Sequence, residues 1–398
     1  MYRSILSLAK NDINGKTVVI RIDANVPIHD GKITDCMRLV EALPTIRYVL
    51  ENGAKKVVLL SHFGRPKAQE TEFSLAQIVP TFSEILRDEM RDVEDTSIEF
   101  YSDFDISKTA SRVVMCENLR FNKGEEFGDE NFAKQLAELG DIYINDAFSC
   151  SHRAHASISV VAKFAEIYAG LLMMKEIETI ESILSGNGKI FGVVGGAKVS
   201  TKLSLLTNLI SKMKTIAITG GMANTFLYAL GYNIGKSICE KGLKDEVITI
   251  LESAKKEGCK ILLPQNVVVS HEFKQFAKCR IANISDIKDD DIILDAGPDF
   301  VNEIADELIG HDIFVWNGPL GAFEIRPFNV ATESLARIIA QKTQSGKIKS
   351  IIGGGDTASA VNESGLSDEM THISTGGGAF LEWLEGKELP GISVVRNI

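Results

Sequence analysis

The second half of the chain repeats one local pattern, in which an apolar run ends in a small glycine-rich turn and a helix-like stretch follows. The four copies lie at residues 190–198, 218–222, 351–357 and 373–379. Such a turn leaves the first backbone N–H groups of the following helix free, and the helix dipole adds positive charge there. The repetition predicts either a nucleotide with several phosphates or a charge that must be stabilised as it moves.

Short β-branched runs alternate with helix-like stretches along the whole chain. In the first half the runs lie at 17–22, 56–60, 112–115 and 141–145, with helical patterns at 37–52 and 131–139. In the second half they lie near 190–194, 215–219, 260–263, 313–316 and 349–352. This alternation predicts an α/β fold with parallel strands and helices on both faces of each sheet.

With 398 residues the chain is too long for one ordinary core and suits two domains. An amphipathic pattern at 165–184 predicts a long helix connecting them, with a surface helix inside one domain as the alternative. We therefore expect two doubly wound parallel-sheet, Rossmann-like domains facing across a cleft. The predicted limits are 1–168 for the first domain, 169–188 for the connecting helix and 189–385 for the second domain, with the tail 386–398 packing back on the first.

Composition excludes several classes of protein. A net charge of −11 argues against nonspecific nucleic-acid binding, which needs a basic face. No segment is long and apolar enough for a membrane span, and the first residues are too weakly apolar for a secretory signal, so we expect a cytoplasmic protein. Six scattered cysteines without a C-x-x-C pair make a disulfide framework or structural zinc site improbable.

Arginines concentrate in the first half, where ten of the fourteen lie at or before Arg153. Because the guanidinium group grips phosphate or carboxylate with two hydrogen bonds, this half is suited to a small anionic substrate. Four of these arginines follow predicted strands or begin a predicted helix, and we expect them to converge at the strand ends: Arg38, Arg65, Arg120 and Arg153.

Two polar motifs follow strands of the first half. In residues 21–27, Asp23 and Asn25 alternate onto one face and can hold hydroxyl groups; an Asx turn before a proline is the alternative. In residues 61–66, His62 and Arg65 are expected to point into one cleft, with a capping histidine in a plain loop as the alternative.

The second half offers lysines and a carboxylate beside its glycine turns. Lys198 and Lys202 are four residues apart, so we expect them on one helix face, where they can straddle a phosphoryl group; two surface lysines are the alternative. Asp356 follows three glycines at a predicted helix start, where it can hold Mg²⁺ bound to phosphates or act as a plain N-cap.

Two familiar nucleotide motifs are absent. Residues 231–237 look like a P-loop but have three residues between the glycines where the motif needs four. No glycine run has the G-x-G-x-x-G spacing with a fitting downstream acid, so a dinucleotide-dependent dehydrogenase is disfavoured.

Taken together, the motifs resemble the phosphoglycerate kinase family over essentially the whole chain. They occur in the family's order, as RIDANVP (21–27), SHFGRP (61–66), ENLRF (117–121), HRAH (152–155), GGAK (195–198), WNGP (316–319), GGGDT (353–357) and STGGG (374–378). The resemblance implies a monomeric phosphotransferase of glycolysis with a carboxyl acceptor. It implies reversible transfer between 1,3-bisphosphoglycerate with ADP and 3-phosphoglycerate with ATP, with Mg²⁺ and hinge-bending closure.

The resemblance also implies residue roles. It implies phosphoglycerate binding by Asp23, Asn25, Arg38, His62, Arg65, Arg120 and Arg153. It implies nucleotide binding by Gly196, Ala197, Lys202, Gly220, Gly297, Asn317, Gly318, Pro319, Glu324, Gly354, Gly355, Asp356 and Thr357, with Asp356 as the metal ligand. It implies that Arg38 and Lys198 neutralise the moving phosphoryl group, helped by Gly376 and Gly377.

The chain departs from the family's pattern at a few positions. Residues 149–151 read Ser-Cys-Ser where many members have Gly-Thr-Ala, Thr219 stands where a third glycine is common, and Phe63 replaces a frequent leucine. Cys150 is expected beside the substrate site. The alternative function is a non-catalytic nucleotide- or phosphosugar-binding homologue, which should have lost Lys198, Arg38 or Asp356; all three are present.

Overall fold

The computed structural model describes residues 1–104, 106, 109–185 and 188–397. Strands and helices alternate along it. The first part contains α1 (Lys10–Ile13), β1 (Thr17–Arg21), β2 (Ile28–His29), β3 (Lys32–Ile33), α2 (Met37–Glu51), β4 (Lys56–Leu60), α3 (Val79–Glu89), β5 (Ile98–Tyr101), β6 (Val113–Cys116), α4 (Lys123–Phe127), α5 (Glu130–Ala137), β7 (Ile142–Asn145), β8 (Ile167–Ala169) and α6 (Leu171–Leu184).

The second part continues the alternation. It contains β9 (Ile190–Val194), α7 (Leu203–Ile210), β10 (Thr215–Ile218), α8 (Gly220–Ala229), α9 (Lys244–Glu257), β11 (Lys260–Leu262), β12 (Asn266–Ser270), β13 (Cys279–Asn283), β14 (Ile292–Ala296), α10 (Pro298–Glu307), β15 (Ile313–Asn317), α11 (Val330–Gln344), β16 (Lys349–Ile352), α12 (Gly355–Glu363), β17 (His372–Ile373), α13 (Gly378–Leu384) and α14 (Pro390–Ser393). Within the described ranges, every helix falls short of the length and apolar character that crossing a bilayer requires.

The chain divides into two compact units. One comprises Met1–Glu178 with Glu388–Ile398, and the other comprises Thr179–Lys387. The first division falls inside helix α6. The returning tail is held within the first unit, where the Gly391 amide donates to the Ser151 carbonyl at 2.9 Å and the Arg3 amide donates to the Val395 carbonyl at 2.7 Å.

The first unit is built on a parallel sheet whose described strands run in the order β5-β6-β4-β1-β7-β8. Strand β1 lies inside the sheet and is buried from Val18 to Arg21. Continuous apolar runs of this kind suit strands that are covered on both faces. Because parallel strands end at the same edge, the residues after β1, β4 and β7 are brought together.

The second unit repeats this design with strands in the order β11-β10-β9-β15-β16-β17, all parallel. Its core surrounds β9 and β15, where Phe191, Phe314 and Trp316 are fully buried. The predicted α/β class with two Rossmann-like parts is therefore confirmed.

A three-stranded antiparallel sheet, in the order β13-β12-β14, lies in the second unit and was missed by the sequence analysis. Strand β13 is mostly exposed, so its residues carry no apolar alternation that would reveal a strand. Strand β14 is mostly buried and forms part of the cavity described below.

Helix α6 begins later than predicted. The amphipathic pattern spans 165–184, and the predicted limits of the connecting helix are 169–188. Residues Ile167–Ala169 form β8, which pairs in parallel with β7, and the helix begins at Leu171. Pairing with an open sheet edge therefore outweighs the local helical pattern there. The predicted segment 186–187 lies outside the described residues. Helix α2, by contrast, ends as predicted before Gly53, which has a positive φ of 85°.

Candidate active site

In the first unit a buried carboxylate organises the residues that follow β1. The Arg38 Nη1 donates to Asp23 Oδ2 at 2.8 Å and to the Asn25 carbonyl at 3.1 Å. The Asn25 amide donates to Asp23 Oδ1 at 3.0 Å, so the Asx turn weighed above is present as well. Asp23 therefore both shapes the turn and holds the side chain of Arg38, which lies in the first turn of helix α2.

Ser149 is a member of this cluster that the sequence analysis did not assign. Its hydroxyl donates to Asp23 Oδ2. Burial would raise the pKa of Asp23, but the charge of the Arg38 guanidinium and the hydrogen bonds from Ser149 and Asn25 lower it. Ser149 is one of the departures from the family pattern, so here a departure adds a direct contact to a predicted site residue.

The second motif joins the first through backbone and side-chain contacts. The Gly64 amide donates to Asn25 Oδ1 at 2.8 Å. His62 is buried, with 6% of its surface exposed, and its Nδ1 lies 3.3 Å from Arg21 Nη2 and 3.8 Å from Cys150 Sγ. The plain capping role considered for His62 is therefore wrong. Arg65, the other predicted residue of this motif, is exposed.

The remaining predicted arginines lie on the loops after β6 and β7. Arg120 Nη1 donates to the Gly64 carbonyl, and Arg120 Nε lies 3.2 Å from a carboxylate oxygen of Glu126. Burial and then repulsion by Arg153 lower the pKa of Arg120, which indicates that the two cations are near one another. Arg153 Nε donates to His152 Nε2 at 3.1 Å. The structure thus brings these two arginines into one cationic region.

In the second unit a lysine lies between two strand ends. Lys202 Nζ donates to the Gly195 carbonyl at 2.6 Å, to the Asn317 carbonyl at 3.3 Å and to Asn317 Oδ1. Burial lowers its pKa to about 8, although the charge of Asp356 raises it. The amide of Asn317 in turn donates to the Gly353 carbonyl at 2.7 Å. Lys202 and Asn317 therefore tie β9, β15 and β16 together.

The expectation that Lys198 and Lys202 share one helix face is wrong. Helix α7 begins at Leu203, and the preceding residues form an irregular loop. Glu240 holds this loop from outside, because it accepts the Ser200 amide at 2.9 Å and the Ser200 hydroxyl at 2.6 Å. Lys198 is exposed on the loop. Of the four glycine turns, those at 220, 355 and 378 begin helices directly.

Asp356 lies in the first turn of α12 and is exposed. The N-cap of that helix is Gly354, so the plain N-cap role for Asp356 is wrong. Thr357 is buried and its hydroxyl accepts the Gly318 amide at 2.6 Å. Mg²⁺ usually takes one or two protein carboxylates and fills its shell with water and phosphate oxygens. An exposed carboxylate beside a helix N-terminus fits that pattern.

A cavity of about 520 Å³ opens beside these glycine turns. Six of the predicted nucleotide residues line it: Gly196, Ala197, Gly220, Pro319, Glu324 and Asp356. Its other walls are largely apolar and come from β14, α10 and the loop after β15, including Leu294, Phe300 and Phe323. Such a slot suits a flat, apolar ring, with polar groups at one end to fix its orientation.

The other glycines predicted for the second unit lie where strands end and helices begin, or on the last glycine turn. Gly297 is the N-cap of α10, and Gly354 and Gly355 start α12. Gly376 donates its amide to Ser374 Oγ at 3.1 Å, and Gly377, with φ of 51°, precedes α13. No contact among the described residues tests the roles predicted for these glycines, which stay predictions.

One other group in the described part of the chain has ligand-type side chains close together. His271, Asp290 and Asp291 offer atoms within 4.8 Å of one another. The Asp291 carboxylate already accepts Arg280 Nη2 at 2.5 Å and the Lys288 amide at 2.8 Å. Because a guanidinium group already neutralises the buried member, we assign no metal to this group.

Comparison with known proteins places this geometry in a family of two-unit α/β kinases. The family model described as phosphoglycerate kinase matches residues 8–387. A phosphoglycerate kinase of Agrobacterium fabrum is 47% identical over 397 residues, covering 97% of each chain. The solved phosphoglycerate kinase from Coxiella burnetii has a TM-score of 0.88 at 39% identity and covers 99% of both chains. That from Pyrococcus horikoshii has a TM-score of 0.78 at 28% identity, covering 99% of this chain and 98% of its own.

The chain belongs to the phosphoglycerate kinase family. The resemblance drawn from the sequence is thereby confirmed. The predicted enzyme class, a phosphotransferase with a carboxyl group as acceptor, is confirmed with it.

Proposed function

We propose that the chain transfers a phosphoryl group reversibly between 1,3-bisphosphoglycerate and ADP, giving 3-phosphoglycerate and ATP. Membership of the phosphoglycerate kinase family supports this reaction. The cavity lined by glycines and Asp356 is the observation that supports placing the nucleotide on the second unit. The apolar walls take the base, and the phosphates lie toward the N-terminus of α12. Free amide groups and the helix dipole favour anions at that end.

The phosphoglycerate lies, in this proposal, in the cationic region of the first unit. Asp23 and Asn25 orient the substrate, and the arginines bind its carboxyl and phosphate groups: Arg38, Arg65, Arg120 and Arg153. Arg38 is already aligned by Asp23, so little ordering cost remains when it binds an anion.

The chemistry needs charge stabilisation more than a base. In the forward direction the bond between phosphorus and the acyl oxygen breaks while a bond to a β-phosphate oxygen of ADP forms. The leaving carboxylate is stable as an anion and the attacking oxygen is already ionised, so no proton has to move. Arg38 and Lys198 then stabilise the charge of the transferring group, together with the amide groups at Gly376 and Gly377. Asp356 would hold Mg²⁺, which would supply further neutralisation of the nucleotide phosphates.

Because the two ligands are assigned to different units, the reaction requires a conformation in which they meet. Closure also excludes water, which would hydrolyse the acyl phosphate. The chain passes between the units within α6 and again between Lys387 and Glu388. We assign the hinge to these two passages.

A monomeric state and a cytoplasmic location belong to the same proposal. One chain carries both proposed groups of residues, so the chemistry does not call for a second copy. A glycolytic enzyme works where its substrates are, and the net charge of −11 disfavours nucleic acid as a partner. Sedimentation equilibrium with and without substrates tests the monomer, for which a mass near 43.5 kDa is expected.

The decisive assay couples the reverse reaction to glyceraldehyde-3-phosphate dehydrogenase and follows NADH oxidation. We expect turnover only when ATP, 3-phosphoglycerate and Mg²⁺ are all present, and loss when any one is omitted. Tight binding of both ligands in calorimetry without turnover would instead favour the non-catalytic homologue and overturn the proposal.

A further inference from the structure

Arg21 is a fully buried cation at the end of β1 that the proposed chemistry does not use. Its guanidinium group donates to four acceptors: Nε to Ser157 Oγ at 3.0 Å, Nη1 to the Ile22 carbonyl, and Nη2 to His62 Nδ1 at 3.3 Å and to Cys150 Sγ at 3.7 Å. A guanidinium group has no acceptor atom and keeps its proton in proteins. The contact with His62 therefore has only one possible polarity.

That polarity determines the protonation of His62. Because Arg21 donates, Nδ1 of His62 must present a lone pair, and the ring proton must lie on Nε2. The Cys150 thiol, 3.8 Å from the same Nδ1, can donate as well, and Asp23 Oδ1 is 3.9 Å away, beyond hydrogen-bond distance. Burial and the surrounding cations, chiefly Arg21, Arg120 and Arg38, lower the pKa of His62 well below its usual value despite Asp23.

A buried carboxylate fixes Arg21 in turn. Glu125, on α4, is fully buried and accepts the Ser157 hydroxyl at 2.6 Å and the Ser157 amide at 3.0 Å. Since the hydroxyl proton is given to Glu125, Ser157 Oγ can only accept, and its partner is Arg21 Nε. His155 Nδ1 lies 3.7 Å from the same carboxylate. Donation thus starts at Arg21 and runs in two directions, to His62 on one side and through Ser157 to Glu125 on the other.

We propose that Arg21 is a positioning residue that holds His62 in the Nε2–H tautomer, so that His62 meets the anionic substrate as a neutral hydrogen-bond donor. The positive charge of the region then comes from the arginines alone. The identity of the anion rests on the function proposed above, whereas the tautomer does not.

The first test needs only the unaltered protein without substrate. With ¹⁵N-labelled histidine, long-range ¹H–¹⁵N correlation spectra at neutral pH distinguish the two neutral tautomers from the imidazolium. His62→Gln identifies the signal among the seven histidines. We expect the Nε2–H pattern for His62. An imidazolium or an Nδ1–H pattern would overturn the proposal, and neither result depends on catalytic activity.

The second test breaks the chain of contacts at Ser157, which removes no buried charge and so risks the fold least. In Ser157→Ala we expect His62 to change from the Nε2–H tautomer alone to a mixture of the Nε2–H and Nδ1–H tautomers. We also expect the KM for 3-phosphoglycerate to rise about threefold to tenfold, the size of one lost hydrogen bond, with kcat within about twofold of its original value.

Arg21→Met removes the donor itself and should raise that KM by about tenfold or more, and Arg21→Lys should restore part of it. Arg47→Met, which removes a surface arginine paired with Glu51 and Asp92, is the control and should leave KM unchanged. An altered tautomer with an unchanged KM in Ser157→Ala would remove His62 from substrate binding and overturn the proposal. An unchanged tautomer of His62 in a folded Arg21→Met protein would also overturn the proposal, because Arg21 would then not determine the tautomer.

Discussion

Arg38 and Lys198 lie in very different surroundings, although the proposed reaction requires both to stabilise the charge of the transferring phosphoryl group. Arg38 is partly buried and fixed by Asp23 and the Asn25 carbonyl, whereas Lys198 is exposed on a loop. A fixed cation stabilises charge without reorganisation, while an exposed side chain loses conformational freedom when it binds a ligand. Arg38 is therefore ordered before the ligand binds, whereas Lys198 becomes ordered only on binding it.

Replacing either cation with alanine should lower kcat by about 10²–10³-fold, the usual cost of removing one transition-state donor. The coupled NADH assay at saturating substrates measures this for Arg38→Ala and Lys198→Ala. Arg47→Ala, on the same helix as Arg38 but paired only at the surface, is the control. Variants of Arg38 and Lys198 that kept kcat near the original value would remove both from the proposed mechanism.

Lys202 should make nucleotide affinity depend on pH. Its pKa is lowered to about 8, so the amine is charged below that value and neutral above it. We expect the Kd for ATP to rise as the pH passes through about 8, because a neutral amine no longer attracts phosphate. Lys202→Met should bind weakly at every pH. Calorimetric titration across this range is the measurement, and a flat profile for the unaltered protein contradicts the prediction.

The same shift affects stability with the opposite sign. The folded pKa of Lys202, about 8, lies below the ordinary value of 10.5, so the unfolded chain binds more protons between these two values. The contribution of this group to the free energy of unfolding therefore rises with pH across that window. Burial of the charged lysine costs stability at neutral pH, and its hydrogen bonds to Gly195 and Asn317 offset that cost.

At the scale of elements, the central strands were predictable because both of their faces are covered and their sequences are continuous apolar runs. The antiparallel strands β12 and β13 were not, since the pairing that stabilises β13 is non-local and the strand is largely exposed. The loop before α7 was mistaken for helix because Glu240, forty residues away, decides its shape. Local patterns cannot report such distant partners.

The site shows the same division. Motifs revealed the residues at strand ends, such as Asp23 and Asp356, because polar residues after apolar runs stand out. Arg21, Ser149 and Glu125 were missed. Arg21 is the last residue of an apolar strand, and Glu125 lies in a short charged helix where burial is not apparent from sequence. Only the packed fold shows that these polar groups satisfy one another.

The close approach of the backbone after β15 to the backbone after β9 depends on the absence of a side chain at Gly318. Its φ is +105°, and an added Cβ would lie 2.3 Å from the Gly195 carbonyl oxygen. We expect Gly318→Ala to lower the free energy of unfolding by about 2–3 kcal/mol, through steric and backbone strain together, and to weaken ATP binding. Urea denaturation followed by tryptophan fluorescence measures the loss.

Gly346→Ala is the matched control. That glycine also has a positive φ, +69°, but an added Cβ would meet nothing within 4 Å. It should lose only the backbone cost, about 1 kcal/mol, with ATP affinity unchanged. Equal losses in the two variants would mean that contact with Gly195 contributes nothing.

At the scale of the whole molecule, the proposed reaction predicts a ligand-dependent change in dimensions. We expect the radius of gyration from small-angle scattering to fall when an unreactive ATP analogue and 3-phosphoglycerate are both bound, and to change less with either alone, because closure must bring two ligands together. Identical scattering with and without both ligands would remove hinge bending from the mechanism.

The first unit is assembled from Met1–Glu178 and Glu388–Ile398, with the whole second unit between them in the chain. The tail buries Ile392 and Val395 and supplies the amide that pairs with the Ser151 carbonyl. On the ribosome, therefore, the part made first is the part finished last. The second unit is one continuous stretch and can fold while synthesis proceeds, whereas the first unit stays incomplete until residues 388–397 leave the exit tunnel.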